Sequence, residues 1–301
     1  MYMSIKEIVN TANERQISIS ELAIEHEMKQ NQASREEIFE KMKKNLITME
    51  NAVKKSVEGE GVFSLTGLTG GDAVKIAKYR EKKRTLSGDS MMAGVQSAIG
   101  TNEVNASMGI ICAAPTAGAS GIIPGVLFSI KDKLRLTHEQ MVHFLFTSAL
   151  FGMVVANRAF IAGASGGCQA EVGSASAMAA AAAVEAAGGT PQQSSEAFAI
   201  ALGNLLGLVC DPVAGLVEIP CVKRNAIGTA NALIAADMAL AGITNVISAD
   251  ETIDAMREIG RQMPRELRET GLGGLAGTPT GLAIKKKIYG EDVSNKSLIT
   301  S

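Results

Sequence analysis

Hydrophobic residues in the first part of the chain recur at the spacing of an α-helix. Apolar side chains at steps of three or four residues fall on one helix face. In this segment they are Ile38, Met42, Leu46, Met49, Val53 and Val57. Ser-x-x-Glu sequences begin at Ser4, Ser18 and Ser34. They are typical of helix N-termini, because the hydroxyl and the carboxylate satisfy free amide groups. We therefore predict three helices in an N-terminal helical segment, residues 1–58.

The remainder of the chain, residues 59–301, also has a helical pattern. Small residues dominate from about 66 to 246, including an alanine run at 179–183, and convincing alternating strands are hard to find. Further helix starts are predicted at Thr137, at Thr190 followed by Pro191, and at Ser248. The expected fold is mainly α, a compact helical body with Gly-rich loops. We predict that the N-terminal segment and the helical part 59–301 form one continuous domain.

Composition and charge limit the kinds of partner that we expect for this protein. The chain has 29 basic and 31 acidic residues and a net charge of −2, so no strong positive field would attract nucleic acid. Charged residues at Lys6 and Glu7 interrupt any signal-peptide pattern, and we expect a cytoplasmic protein. The apolar stretches 144–156 and 226–249 raise the question of membrane spans. The first is short and the second contains Asn231 and Asp237, so we predict buried helices and no membrane insertion.

Four cysteines are the main candidates for chemistry: Cys112, Cys168, Cys210 and Cys221. In a reducing compartment they are better candidates for metal ligands or a reactive thiol than for disulfides. The last three stand beside glycine or proline, where a turning backbone exposes thiolate and amide together. The alternative interpretation is that all four cysteines are small, buried hydrophobic residues. There is no CxxC pair, and gaps of 41 and 10 residues match neither zinc nor ferredoxin patterns, so spacing leaves the metal open.

Charged residues follow the last cysteine directly. Lys223 and Arg224 could bind a substrate carboxylate or stabilise developing negative charge beside a metal centre. The alternative is a solvated helix start with surface charges, which we expect for Arg224 more than for Lys223.

Five ordered segments carry a resemblance to a known family. They are TGLTGGD at 66–72, APTAGASG at 114–121, GGCQAEVG at 166–173, CDPVAG at 210–215 and EIPCVKRN at 218–225. With these segments the chain closely resembles the alpha chain of the iron–sulfur L-serine dehydratases, from about residue 60 to Gly281. The resemblance identifies residues 59–301 as a catalytic domain carrying an iron–sulfur site.

The resemblance implies a [4Fe-4S] cluster held by Cys168, Cys210 and Cys221, with the hydroxyl of L-serine approaching the open iron. Loss of water and then ammonia would give pyruvate, without pyridoxal phosphate. Lys223 is the predicted catalytic residue, although His143 or a histidine of the beta chain remain alternatives for the general base. The predicted substrate-binding residues are Thr116, Gly118 and Ser120.

The chain departs from the family pattern in two ways. It has no Ser-Ser-His-Thr type motif, so a separate beta chain is expected to supply the serine-binding domain. No cysteine follows Cys221, so the fourth iron is expected to hold water, a small ligand or a group from the partner. Cys112 is predicted to be a packing residue. Alternative functions are a cysteine desulfidase on the same scaffold, a non-catalytic iron–sulfur sensor and a metal-free helical binding protein.

Overall fold

The computed structural model describes residues 2–290, which contain thirteen α-helices and no β-strand. The helices are α1 (Ile5–Arg15), α2 (Ile19–Asn31), α3 (Arg35–Ser56), α4 (Asp72–Glu81), α5 (Asp89–Ala106), α6 (Ile122–Leu134), α7 (His138–Arg158), α8 (Gly163–Gly166), α9 (Ser174–Ala186), α10 (Pro191–Gly203), α11 (Cys221–Leu240), α12 (Ala249–Gln262) and α13 (Pro279–Tyr289). A π-helical turn, Gln169–Gly173, runs into α9, and short 3₁₀ turns occupy Val213–Gly215, Arg265–Leu267 and Gly274–Gly277. The prediction of a mainly α fold is confirmed.

The helix starts predicted from sequence lie where the hydroxyl residues indicated. Complete capping boxes form at Ser34, Thr137, Thr190 and Ser248. Ser4 and Ser18 also cap α1 and α2, each accepting a hydrogen bond from the amide three residues later. Local side chains therefore define six of the helix N-termini, as the sequence pattern indicated.

Carboxylates from distant helices complete the caps of α1 and α2. Asp250 accepts hydrogen bonds from the amides of Ile5 and Lys6, at 2.9 and 3.0 Å. Glu185 does the same for Ile19 and Ser20, at 2.7 and 3.1 Å. A negative charge at a helix N-terminus is favourable, and these two carboxylates also fasten the N-terminal segment to the rest of the fold.

The core is built around the alanine-rich helix α9, which contacts α6, α7, α10 and α11. Residues 174–184 of this helix are all buried. Alanine side chains allow helices to approach closely, which is how a chain with 4% aromatic residues forms a dense interior. One buried cluster includes Ile8 and Leu46 from the N-terminal segment together with Phe151 and Ala235 from the body. That the N-terminal segment 1–58 and the part 59–301 form one continuous domain stays a prediction.

The two long apolar stretches differ in whether they form a single helix. Within residues 2–290, α7 alone is long and apolar enough to cross a membrane, and 67% of its most apolar window is buried inside the protein. A core helix of a folded domain has these properties too. The second stretch does not form one helix, because α11 ends at Leu240 and α12 begins at Ala249.

Candidate functional site

Two cysteines, Cys168 and Cys210, lie within 4.8 Å of each other beside the π-helical turn, and a third, Cys221, is close enough for the charge of Cys168 to raise its pKa. Cys168 immediately precedes this turn, Cys210 lies in the extended segment after α10, and Cys221 is the first residue of α11. All three are free thiols and are buried, with 2%, 2% and 7% of their surface exposed. Cys112 is free as well but lines a separate, mostly apolar cavity of about 300 Å³ between α3 and α7.

The thiols influence one another. Cys168 and Cys210 share a hydrogen bond, which, with nearby Arg224, lowers the pKa of Cys168. The same hydrogen bond and burial raise the pKa of Cys210. Burial, followed by the charge of Cys168, raises the pKa of Cys221. Cys168 is thus the thiol that most readily carries negative charge, and a metal ion would favour deprotonation of the other two.

Arg224 points into this site and not toward solvent. Its Nη1 lies 3.5 Å from Cys168 Sγ and donates to the Val209 carbonyl at 2.8 Å. Its Nη2 lies 2.8 Å from Oδ1 of the buried Asp211. Asp211 is fixed in turn by the amide of Leu275, at 2.7 Å. Burial alone would lower the pKa of Arg224, but the charges of Cys168 and Asp211 outweigh it, and the pKa is raised.

Glu171 belongs to the same cluster, although the sequence analysis did not single it out. One carboxylate oxygen of Glu171 and the Sγ atoms of Cys168 and Cys210 all lie within 4.8 Å of one another. Burial raises the pKa of Glu171, and the hydroxyl of Thr116 opposes this by donating to its Oε1 at 2.7 Å. The sequence signal was the three-residue separation of Cys168 and Glu171, which places both on one side of a helical turn.

A second carboxylate approaches the site from the C-terminal part. Cys210 pairs with residues 267–269 through two backbone hydrogen bonds, Cys210 N to Leu267 O at 2.8 Å and Glu269 N to Cys210 O at 2.7 Å. Glu269 has φ of 63°, a left-handed conformation that is unusual for glutamate. Its negative charge is among those that raise the pKa of Cys210. No local sequence feature indicated this residue.

The 114–121 loop is fastened to α11 beside the cysteines. Asn225 donates to the carbonyls of Gly118 and Cys221, at 2.7 and 2.9 Å, and accepts from the Gly121 amide at 2.9 Å. Gly118 lies against Glu171, since a Cβ built at Gly118 would stand 3.3 Å from Oε1 of that residue. Thr116 and Gly118 are therefore close to the cysteines, as their predicted role requires.

The sequence analysis also named Ser120, Lys223 and His143, whose surroundings differ from those of Thr116 and Gly118. Ser120 is fully buried, and its hydroxyl stands 3.4 Å from the Asn102 amide nitrogen. Lys223 is exposed in the first turn of α11, whereas its neighbour Arg224 faces the thiols. His143 contacts Ser20 and Phe39, which are not part of this cluster. The roles assigned to Lys223, Thr116, Gly118, Ser120 and the three cysteines stay predictions.

Sequence comparison shows which protein family this chain belongs to. A family profile described as "Serine dehydratase alpha chain" matches residues 14–276. This chain belongs to the serine dehydratase alpha chain family. It is 61% identical over 290 residues to the probable L-serine dehydratase alpha chain of Bacillus subtilis, with 96% of each protein covered. It is 44% identical to the L-serine dehydratase alpha chain of Peptoniphilus asaccharolyticus, with 97% of this chain and 99% of that protein covered.

Some members of the family are longer. L-serine dehydratase 1 of Escherichia coli is 35% identical over 280 residues, which cover 91% of this chain but only 61% of the relative. About two fifths of that relative therefore lies outside the match.

Proposed function

We propose that this chain is the cluster-carrying alpha subunit of an L-serine dehydratase, a lyase that converts L-serine to pyruvate and ammonia. The observation that carries the proposal is a group of three free, buried cysteines in which Cys168 and Cys210 lie within 4.8 Å of each other and the charge of Cys168 acts on Cys221. Family membership and the names of relatives that share 96–99% coverage support the same reaction.

The donor set fits a [4Fe-4S] cluster. Three thiols from separate segments are the ligands that such clusters use, and Arg224 beside Cys168 stabilises a thiolate. Gly163 leaves space at the site, because a Cβ there would stand 2.8 Å from Cys210 Sγ and 2.7 Å from Glu171 Oε2. When bound, the cluster supplies an iron without a cysteine ligand, which acts as a Lewis acid on a substrate hydroxyl.

The protein's own residues position the reactants. Burial of the three cysteines excludes water from the reacting centre. Thr116 and the Gly118 backbone, held by Asn225, form the wall at which the carboxylate or amine of serine binds. Ser120, buried within the loop, maintains its shape. Lys223, exposed at the rim, attracts the substrate carboxylate and is available to hold a proton at Nζ.

We propose that a separate beta chain completes the enzyme. The part of the Escherichia coli relative outside the match leaves room for a further domain in that protein, and this chain has no Ser-Ser-His-Thr type motif. The alpha–beta assembly would act in the cytoplasm on L-serine and requires neither nucleic acid nor a membrane surface.

The decisive experiment is anaerobic co-purification with the beta chain, followed by iron and sulfide analysis and a pyruvate assay. Near four irons per alpha chain and air-sensitive turnover of L-serine are expected. Turnover of cysteine in preference to serine would indicate a desulfidase, and a cluster without turnover would indicate a sensor. Pyruvate formation without iron would refute the cluster mechanism.

Matched cysteine variants test the ligand assignment. Cys168→Ser, Cys210→Ser and Cys221→Ser should each lose most of the iron and the activity, because each removes one thiolate ligand. Cys112→Ser is the control and should keep both, since Cys112 lies in a different cavity. Full iron content in all three site variants would show that the assignment is wrong.

A further inference from the structure

The position of Glu171 suggests a role that the three cysteines do not fill. One carboxylate oxygen of Glu171 lies within 4.8 Å of the Sγ atoms of both Cys168 and Cys210. Cys168 and Glu171 are three residues apart in one continuous helical turn, so their side chains project to the same side. Two thiols and a carboxylate at this separation form a set of three donors, one of which is an oxygen.

The carboxylate of Glu171 is held in a fixed orientation. Thr116 Oγ1 donates to Oε1 at 2.7 Å. Oε2 and Cys210 Sγ both face Gly163, where a Cβ would stand 2.7 and 2.8 Å from them. A carboxylate has about four lone-pair positions, so this hydrogen bond leaves it able to bind a metal ion. Any side chain at 163 would occupy the space between these donors.

Within residues 2–290 no side-chain cation pairs with Glu171. Its hydrogen-bond partner Thr116 is neutral, and the nearest charges that act on it include another carboxylate, Glu269. Arg224, the cation of this site, is taken by Asp211 and Cys168. A partly buried carboxyl group beside thiols and a second carboxylate lacks a positive counterpart, which an iron would provide.

We propose that the Glu171 carboxylate is the protein ligand of the iron that the three cysteines leave open, and that the hydroxyl of serine displaces it. This inference rests on the proposed function, because it presupposes the [4Fe-4S] cluster. Thr116 and Gly163 act as positioning residues, the first by its hydrogen bond to Oε1 and the second by its lack of a side chain. In the absence of substrate, the carboxylate protects the fourth iron against loss.

The test measures loss of the fourth iron from the anaerobically loaded alpha–beta complex. One-electron oxidation by ferricyanide, which is itself reduced, releases this iron as Fe²⁺ and leaves a [3Fe-4S] cluster that EPR detects. Glu171→Gln should undergo the conversion at least about 10- to 100-fold faster than the wild type, since loss even of an outer-shell group that supports a metal ligand costs that much affinity. The matched control is Glu269→Gln, which removes a nearby charge without removing the ligand and should convert at the wild-type rate.

The outcomes separate this inference from the proposed function. Equal conversion rates in the wild type and Glu171→Gln would overturn the inference and leave the cluster assignment intact. Equal acceleration in both variants would overturn it as well, since charge alone would then account for the effect. A wild-type complex without a [4Fe-4S] cluster would overturn the proposed function together with the inference.

A measurement on the wild type covers the case in which Glu171→Gln fails to take up a cluster. In water labelled with ¹⁷O, ENDOR spectroscopy of the reduced wild-type cluster should show no strongly coupled water oxygen, because the carboxylate occupies the open iron. Addition of L-serine should change the spectrum. A strong ¹⁷O coupling in the resting wild type would identify water as the ligand and overturn the inference.

Discussion

Replacement of Arg224 by methionine should destabilise the fold even without a metal. The guanidinium group is buried with Asp211 at 2.8 Å, where the two side chains expose 14% and 4% of their surface. Methionine fills a similar volume but, among residues 2–290, leaves the Asp211 charge with only the Leu275 amide as partner. The Val209 carbonyl also loses its donor.

Removal of one partner from a buried ion pair costs about 3–5 kcal/mol, because the remaining charge stays desolvated. Arg224 is partly accessible, so we expect a loss near the lower limit, about 3 kcal/mol. In the double variant Asp211→Asn/Arg224→Met the uncompensated charge is absent. We therefore expect the double variant to lose at least about 1 kcal/mol less than the sum of the two single losses.

Urea unfolding of the metal-free chain, followed by circular dichroism, measures these free energies. Arg15→Met is the matched control, since its ion pair with Glu25 exposes 46% and 42% of the side chains and its loss should cost far less than that of the buried pair. A loss for Arg224→Met as small as that of the control, or strict additivity with Asp211→Asn, would refute the reasoning.

Three further predictions concern helix ends and a buried carboxyl group. Ser34→Ala removes the capping box of α3 and should lower the free energy of unfolding by about 1 kcal/mol in the same urea assay; an unchanged value would argue against the cap. Glu185→Ala should cost roughly 2 kcal/mol or more, because it leaves the Ile19 and Ser20 amides and the buried Thr147 hydroxyl without their acceptor, and a thermal scan showing no shift would contradict this. Burial raises the pKa of Glu103 above 4.5, so its contribution to stability falls as pH rises from the unfolded pKa through this raised value. Glu103→Gln, which stays neutral, should become more stable relative to the wild type as pH rises above 4.5, whereas a constant difference would refute the assignment.

The helical class and six of the thirteen helix starts in residues 2–290 could be predicted from the sequence because they depend on residues within one turn. Ser34 and Glu37 form the box that their spacing predicts, and Pro191 begins α10 behind its Thr190 cap. The choice of three cysteines also came from local context, the adjacent glycines and prolines, together with the family resemblance. Their convergence depends on how α9 and α11 pack, which local pattern does not report.

Several features were decided by contacts between residues far apart in the chain. Glu185 caps α2 from 166 residues away, and no sequence window indicates such a partner. Lys223 and Arg224 are chemically similar neighbours, and the rotation of α11 determines which of them faces the thiols.

The sequence by itself determined the helical elements, their caps and the residue types that a metal site needs. The helices and their caps follow from the spacing of side chains along the chain. The candidate metal ligands follow from the chemistry of the thiol group. Only the tertiary structure brought Glu171 to the thiols of Cys168 and Cys210 and pointed Arg224 at Cys168. The physical reason is that these contacts depend on the close approach of separate helices, and on Gly163 leaving space between the carboxylate and Cys210 Sγ.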